Sequence, residues 1–345
     1  MHLDAALLPL DLSAVPEAAR AAEALGFSAL WTTETQHDPF LSLALVAEHT
    51  SRLRLGTAIA VAFARSPGAL AYTAWDLAAA SQGRFILGLG TQVRAHVERR
   101  FGMSWPESVV GKLREQILAL RAFWDCWQKG TKLNFRGEYY KLTLMSPFFS
   151  PPPLASPIFK ENGGGLGGGI PIYIAGVNPG LARLAGELCQ GFHAHPFHSP
   201  RYLREVILSG IESGLNQAGR QREAIEVAVA AFVATTPQER EECRKQLSFY
   251  ASTPSYRPVM EMHGWGDTAA RLSSHASRGE WDEMPALITD DILPEFCTLA
   301  DSPVSLGAAL RERYAGIADR LTPYLPFTPG EKDEFWRALA SEFGH

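Results

Sequence analysis

The sequence is poor in cysteine, and what it has is scattered. Cys126, Cys189, Cys243 and Cys297 form no CxxC pair. That spacing argues against a zinc site and a disulfide framework, and for reduced, buried thiols in a cytoplasmic protein. Runs of lysine and arginine are missing too, and the formal net charge is −5. Neither nucleic acid nor a membrane surface is therefore expected as a partner. No apolar stretch approaches the ~18 residues of a membrane span. The first residues carry Asp4 and Asp11 without a basic start, unlike a secretory signal. An early glycine fingerprint of a dinucleotide-binding open sheet is also absent. What remains is a chain of 345 residues, 46% hydrophobic and 20% charged, the composition of a globular protein with a large core.

Strand and helix patterns alternate along it. Apolar, β-branched runs predict strands at Leu3–Leu8, Ser28–Thr33, Leu53–Ala62, Arg84–Gly90, Ile172–Ala175, Gly191–His195, Ile225–Ala234 and Leu321–Phe327. Between them lie helical patterns. One starts at Pro16, with Ala18, Ala19, Ala22 and Leu25 as its apolar stripe and Gly26 as its stop. Another runs over Val110–Gln128 with Leu113, Ile117, Leu120, Trp124 and Trp127 at steps of three and four. Thr328 and Glu331 fit a capping box for a last helix. Five prolines in Ser146–Pro157 and six glycines in Lys160–Gly169 predict irregular chain and a mobile loop. Eight strands, each followed by a helix, are the count for an α/β (β/α)8 TIM barrel. The expectation is one domain over residues 1–345, with insertions after strands four and seven at about 145–170 and 250–291.

In such a barrel, chemistry sits at the C-terminal ends of the strands. After the fifth strand, PIYIAGVNPGLARLAGE passes from strand to helix through Gly176, Val177 and Asn178, with Asn178 as N-cap and Pro179 at the first helical position. Outward N–H groups at such a turn suit a phosphate; an ordinary capped connection is the other reading. Glu34, His37 and Asp38 crowd the loop after the second strand. His37 is a candidate for proton transfer and Asp38 for orienting it, though Asp38-Pro39 also reads as a helix cap. After the fourth strand, Gly88 and Gly90 leave room for something flat, and Thr91 and Gln92 offer a hydroxyl and an amide. Arg94 and His96 follow, within reach of an anionic tail. His193 and His195 alternate on one face of the sixth strand, with His198 beyond. No acidic or cysteine ligand accompanies them, so lining or underpinning a pocket is expected rather than metal binding.

The ordered set AAEALGFSALWTTE, HTSRLRLGTAI, SQGRFILGLGT and IPIYIAGVNPGLARLAGE resembles the luciferase-like monooxygenase superfamily, in its branch of coenzyme F420-dependent oxidoreductases. The likeness covers the chain to about residue 196 and returns at ADRLTPYLPF. It implies a flavin or deazaflavin across the barrel mouth. By that likeness the amides of Gly176, Val177 and Asn178 hold the cofactor phosphate, and Thr91 and Gln92 lie near the ring. A non-proline cis peptide that buttresses the ring falls at Ala58-Ile59. His37 stands where sugar-phosphate dehydrogenases of the family place a catalytic histidine. Those enzymes also use a glutamate after strand four. Thr91-Gln92-Val93 stands there in this chain, with Glu98 further on, which argues against sugar-phosphate oxidation.

The resulting expectation is hydride transfer between F420 and a small organic substrate. His37 moves the proton, and Asp38 or Glu34 tunes it. Trp105, Phe148, Phe149, Tyr256 and Trp265 are candidates for an apolar substrate lining and equally for core. An FMN-dependent monooxygenase using molecular oxygen is the second reading. A cofactor-binding protein without turnover is the third. Barrels of this resemblance often pair, so a homodimer is expected.

Overall fold

The computed structural model describes residues 1–8, 10–155 and 169–344. At its centre, β1 is split into His2–Leu3 and Ala5–Ala6, β2 is Ala29–Thr32, and β3 is Arg54–Thr57 continued by Ala60–Val61. They are followed by β4 (Phe85–Gly90), β5 (Ile172–Gly176), β6 (Gly191–Ala194), β7 (Glu226–Ala234) and β8 (Arg320–Pro323). Neighbours in chain order pair in parallel. The first half of β1 lies against β8 and its second half against β2, so one strand joins both ends of the sheet into a barrel.

The principal helices wrap this sheet: α1 (Val15–Ala24), α2 (Pro39–His49), α3 (Pro67–Ala80), α4 (Val109–Lys129), α5 (Pro179–Leu188), α6 (Ser209–Gln217), α7 (Pro237–Ala251), α8 (Pro303–Arg313) and α9 (Asp333–Ser341). The expected stripe of α4 is buried in full: Leu113, Ile117, Leu120, Trp124 and Trp127 are at most 3% exposed. Burial of each such side chain contributes roughly 1.5–3 kcal/mol. Ser108 caps this helix by accepting the Gly111 N–H, and Gly130, at φ 64°, ends it in the left-handed region that glycine tolerates.

Three elements differ from the sequence expectation. The third strand is interrupted: Gly56 pairs with Ile86 and Ala60 with Leu89, so Thr57, Ala58 and Ile59 stand opposite only Leu87 and Gly88. The extra residue makes a bulge, and the Ala58-Ile59 peptide is cis, at the expected position. The eighth strand is shorter than expected because Pro323 and Pro326 lack the N–H that a ladder needs. The capping box of Thr328 and Glu331 does not form. Glu331 donates to the Thr328 carbonyl in a turn, and α9 begins only after Lys332, itself left-handed at φ 56°.

Between α4 and β5 lie a small hairpin, Phe135–Arg136 against Lys141–Leu142, and a 3₁₀ turn at Pro147–Phe149. The proline-rich stretch expected to be irregular thus holds one short turn among its described residues. The glycine-rich segment, except for Gly169, lies outside the described residues. After α7 an excursion carries helices Arg257–Glu261 and Gly266–Arg278, then returns through Cys297–Leu299, which pairs in parallel with the end of β7.

Inside the barrel the residues change with height. At the N-terminal end, Arg320 donates twice to Asp4, at 2.8 and 2.7 Å, and Trp31 donates to Asp4 at 2.9 Å. Glu226 faces Arg320 at 3.5 Å and Arg54 at 3.1 Å, and it accepts the Tyr173 hydroxyl. Burial opposes the Arg320 charge, but Asp4 outweighs it and holds the guanidinium above its ordinary range. Above this ionic floor, Ala29, Trp31, Ile86, Tyr173 and Ala228 form a sealed apolar layer.

Candidate functional site

Period-two alternation carries the inward face of each strand upward from that layer. From Tyr173 it passes to Ala175, from Ala228 to Ala230, from Arg320 to Thr322, and from Ile86 to Gly88 and Gly90. Ala58 joins them from the bulge. Ala58, Ala175, Ala230 and Thr322 are half-buried where the layer below is sealed. Small side chains therefore line an open bowl at the C-terminal end of the barrel. The alternating glycines have a packing reason as well. A Cβ on Gly88 would sit 1.7 Å from the Thr57 carbonyl oxygen, and one on Gly90 would meet the Ile59 side chain at 2.6 Å.

One rim of the bowl is the turn after β5. Asn178 accepts the Leu181 N–H at 3.1 Å, and Pro179 opens α5, as the sequence predicted. The Val177 carbonyl accepts the Tyr202 hydroxyl at 2.8 Å, which pins the turn from below. The main-chain N–H groups of Val177 and Asn178 donate to no described residue. Gly176 and Val177 are half-buried and Asn178 is exposed, so no described residue plugs the turn. A Cβ on Gly176 would press on Leu181 at 2.8 Å, so the tight strand-to-helix passage needs glycine there.

The loop after β2 is held by Arg65, a residue the sequence reading missed. Its guanidinium donates to Glu34 at 2.6 Å and to Asp38 at 2.9 Å. Burial disfavours that charge, but the two carboxylates raise it above its ordinary range. Glu34 also accepts the Val61 N–H at 2.6 Å, and its own N–H donates to Ile59 at 3.2 Å. Asp38 caps α2 by accepting from Phe40 at 2.8 Å and Leu41 at 3.3 Å. Both carboxylates are thus committed to holding the β2 loop against the bulge of β3. His37 stands between them in sequence, exposed, with neither ring nitrogen bonded to a described residue. Arg100 donates to the Thr35 carbonyl and ties the β4 loop to the same loop.

Thr91 and Gln92 follow β4 directly and are half-buried. Gln92 adopts φ 59°, a conformation that costs a non-glycine residue about 1 kcal/mol or more. Its side-chain carbonyl accepts the Val93 N–H at 3.0 Å, while its NH₂ makes no bond to a described residue. Arg94 pairs with Glu98 at 3.0 Å in an exposed helical turn, and His96 is exposed.

The three histidines after β6 are not brought together as a metal site, and no cluster of metal-ligating side chains occurs among the described residues. His193 lies in the barrel against Trp31, 4.8 Å between ring centres, and burial followed by the nearby Arg320 charge drops it to about 3. His198 bonds the His195 carbonyl at 2.7 Å and Tyr314 at 3.0 Å. Burial lowers it to about 4, despite the upward pull of its bond to His195. His195 is stacked among aromatic residues at the mouth and lines a narrow crevice with Gly176 and Val177. Of the aromatic candidates, Tyr256 packs on His195, Trp105 packs on Phe63, and Trp265 stacks on His263. Phe148 and Phe149 are exposed. Tyr250, against His195, and Tyr324, bonded to Tyr250, were missed because an aromatic in a helix or after a proline carries no signal of its own.

Similarity to other proteins agrees with this geometry. An uncharacterized protein of Mycobacterium tuberculosis is 44% identical over 323 residues, covering 92% of this chain and 91% of its own. An F420-dependent glucose-6-phosphate dehydrogenase of Nakamurella multipartita is 26% identical over 253 residues, covering 70% and 68%. The coenzyme F420-dependent tetrahydromethanopterin reductase of Methanopyrus kandleri has the same fold, with a TM-score of 0.78, 21% identity, and coverage of 99% and 97%. The family model described as luciferase-like monooxygenase matches residues 2–320, and the chain belongs to that family.

Proposed function

We propose that this chain is an oxidoreductase that moves a hydride between the deazaflavin F420 and a small organic substrate. The observation that carries the reading is the turn after β5, where the Val177 and Asn178 N–H groups meet no partner among the described residues at the rim of an open bowl. Donors fixed by a strand behind and a capped helix ahead suit phosphate oxygens without a basic side chain. The bowl suits a flat ring, since Ala58, Ala175 and Ala230 put only methyl groups into it. When bound, a deazaflavin supplies a ring carbon that gives or takes a hydride. F420 is favoured over FMN by the F420-dependent dehydrogenase relative.

The chain's own residues supply placement and a proton. The free NH₂ of Gln92 offers a donor to a polar ring edge. His37, with both nitrogens unengaged, exchanges the proton at the substrate oxygen. Glu34 and Asp38 serve it by holding its loop through Arg65. General acid–base help of this kind is worth about 10²–10⁴ in rate. Anaerobic titration with F420 and with FMN, read by absorbance and fluorescence, tests the reading. Saturable F420 binding, with His37→Ala losing turnover but not affinity, is the expected result. Tight FMN binding with oxygen consumption would move the chain to the monooxygenase class. Full turnover in His37→Ala would remove the proton role.

A further inference from the structure

On the far side of the bowl from His37, the structure holds a second polar feature that the hydride reading does not use. In an eight-stave barrel β6 stands opposite β2, so the residue after β6 faces the residue cluster after β2 across the mouth. That residue is His195. It shares the inward face with His193 by alternation, and His193 contacts Trp31 and Tyr173 inside the barrel.

The His195 ring is held on two sides. Tyr256 lies 4.4 Å away, tilted by 37°, and Tyr250 lies 4.9 Å away, edge-on at 89°. The Phe197 N–H donates to Nδ1 at 3.1 Å, which makes Nδ1 the acceptor and leaves the proton on Nε2. Burial, then the nearby His198, lowers the ring to about 3, so it is uncharged at neutral pH. Its Nε2–H has no acceptor among the described residues. A second donor stands beside it. The Tyr250 and Tyr324 hydroxyls bond each other at 2.9 Å, which uses one O–H and leaves the other. Burial and the neighbouring Tyr324 push the Tyr250 hydroxyl well above its ordinary range, so Tyr250 stays protonated. Four cations of the mouth loops are engaged, Arg65 by Glu34, Arg94 by Glu98, Arg100 by the Thr35 carbonyl and Lys332 by Glu239, while Arg99 after β4 pairs with no described residue.

We propose that His195, with the Tyr250–Tyr324 hydroxyl pair, is the specificity-determining wall of the substrate site. It accepts a flat, uncharged molecule that offers the Nε2–H a carbonyl or hydroxyl oxygen distinct from the one His37 serves. The proposal rests on the oxidoreductase reading and names its substrate class. The aromatic faces supply apolar contact, and the two uncharged donors select an oxygen acceptor. An anionic substrate finds no free guanidinium or ammonium among the four cations named.

The experiment uses the F420-loaded protein, with acetophenone as the uncharged probe and benzoate as its anionic counterpart, both followed by isothermal titration. F420 affinity of each variant is measured separately by fluorescence. Acetophenone should bind saturably, and benzoate at least about tenfold more weakly. His195→Phe should weaken acetophenone about tenfold or more, the loss of one good hydrogen bond, with F420 affinity unchanged. His195→Gln, which keeps an N–H donor, should restore most of the affinity. Tyr324→Phe, at a partly exposed position where folding is not at risk, should cost a few-fold. Equal acetophenone binding in His195→Phe, tighter binding of benzoate, or no saturable acetophenone binding would overturn the proposal. So would a His195→Phe variant that loses F420 rather than acetophenone. If the wild-type protein binds acetophenone as stated but never F420, the hydride reading fails and the recognition wall stands.

Discussion

The two ends of the barrel treat polar groups in opposite ways. At the floor, Asp4, Arg320, Glu226, Arg54, Tyr173 and Trp31 bond one another within a tight cluster. At the mouth, the Val177 and Asn178 amides, the Gln92 NH₂, both nitrogens of His37 and the His195 Nε2–H find no partner among the described residues. Polar groups that are buried and paired hold a structure together, whereas polar groups fixed in place but unpaired are ready for a ligand. The contrast places stability at one end of the same strands and recognition at the other.

Acid should break the comparison most strongly. His193 and His198 sit near 3 and 4 in the fold, because burial disfavours their charged forms. In the unfolded chain they titrate near ~6.5. The folded state therefore binds fewer protons. Their contribution is complete above that pH and drains away as pH falls toward the folded values, at up to about 1.4 kcal/mol per ring per pH unit. Urea unfolding at pH 7 and pH 5 should show it, and His198→Gln should flatten the dependence. An unchanged midpoint would mean that these rings are not sealed.

Next in size is the floor itself. Arg320→Ala leaves Asp4 buried without its cation and should cost about 3–5 kcal/mol in urea unfolding. The folded fraction should still bind F420 with wild-type affinity; a parallel loss of affinity would erase the division between the two ends. Arg65→Met sharpens the boundary from the mouth side. It strands the nearly buried Glu34 carboxylate and should cost about 1–3 kcal/mol. It should also lower turnover more than F420 affinity, because the loop carrying His37 loosens. Smallest is Asn178→Ala. It removes the α5 cap at about 1 kcal/mol, but the amides at the turn stay in place, so F420 affinity should fall only slightly.

Much of this was legible in the sequence. Strand runs and helix stripes gave the barrel, because period two and period 3.6 are written in single side chains. The β5 turn was legible because Gly176, Asn178 and Pro179 each have a local backbone role. The resemblance placed the cis peptide at Ala58-Ile59, where the structure has it. What stayed hidden depends on distance through space. Nothing local marks Arg65 as the partner of Glu34 and Asp38, residues 31 and 27 positions away. The floor pairs Asp4 with Arg320 across 316 positions, a contact that only barrel closure creates. The split of β3 was hidden for a related reason. LRLGTAIAVA reads as one strand, and only its register against β4 exposes the extra residue.

The most direct test of the central claim is amide NMR of the labelled protein during titration with F420. The Val177 and Asn178 N–H resonances should shift together and saturate at the binding stoichiometry, while amides of the floor strands stay still. If F420 binds and those two resonances do not move, the phosphate is held elsewhere and the site assignment is wrong.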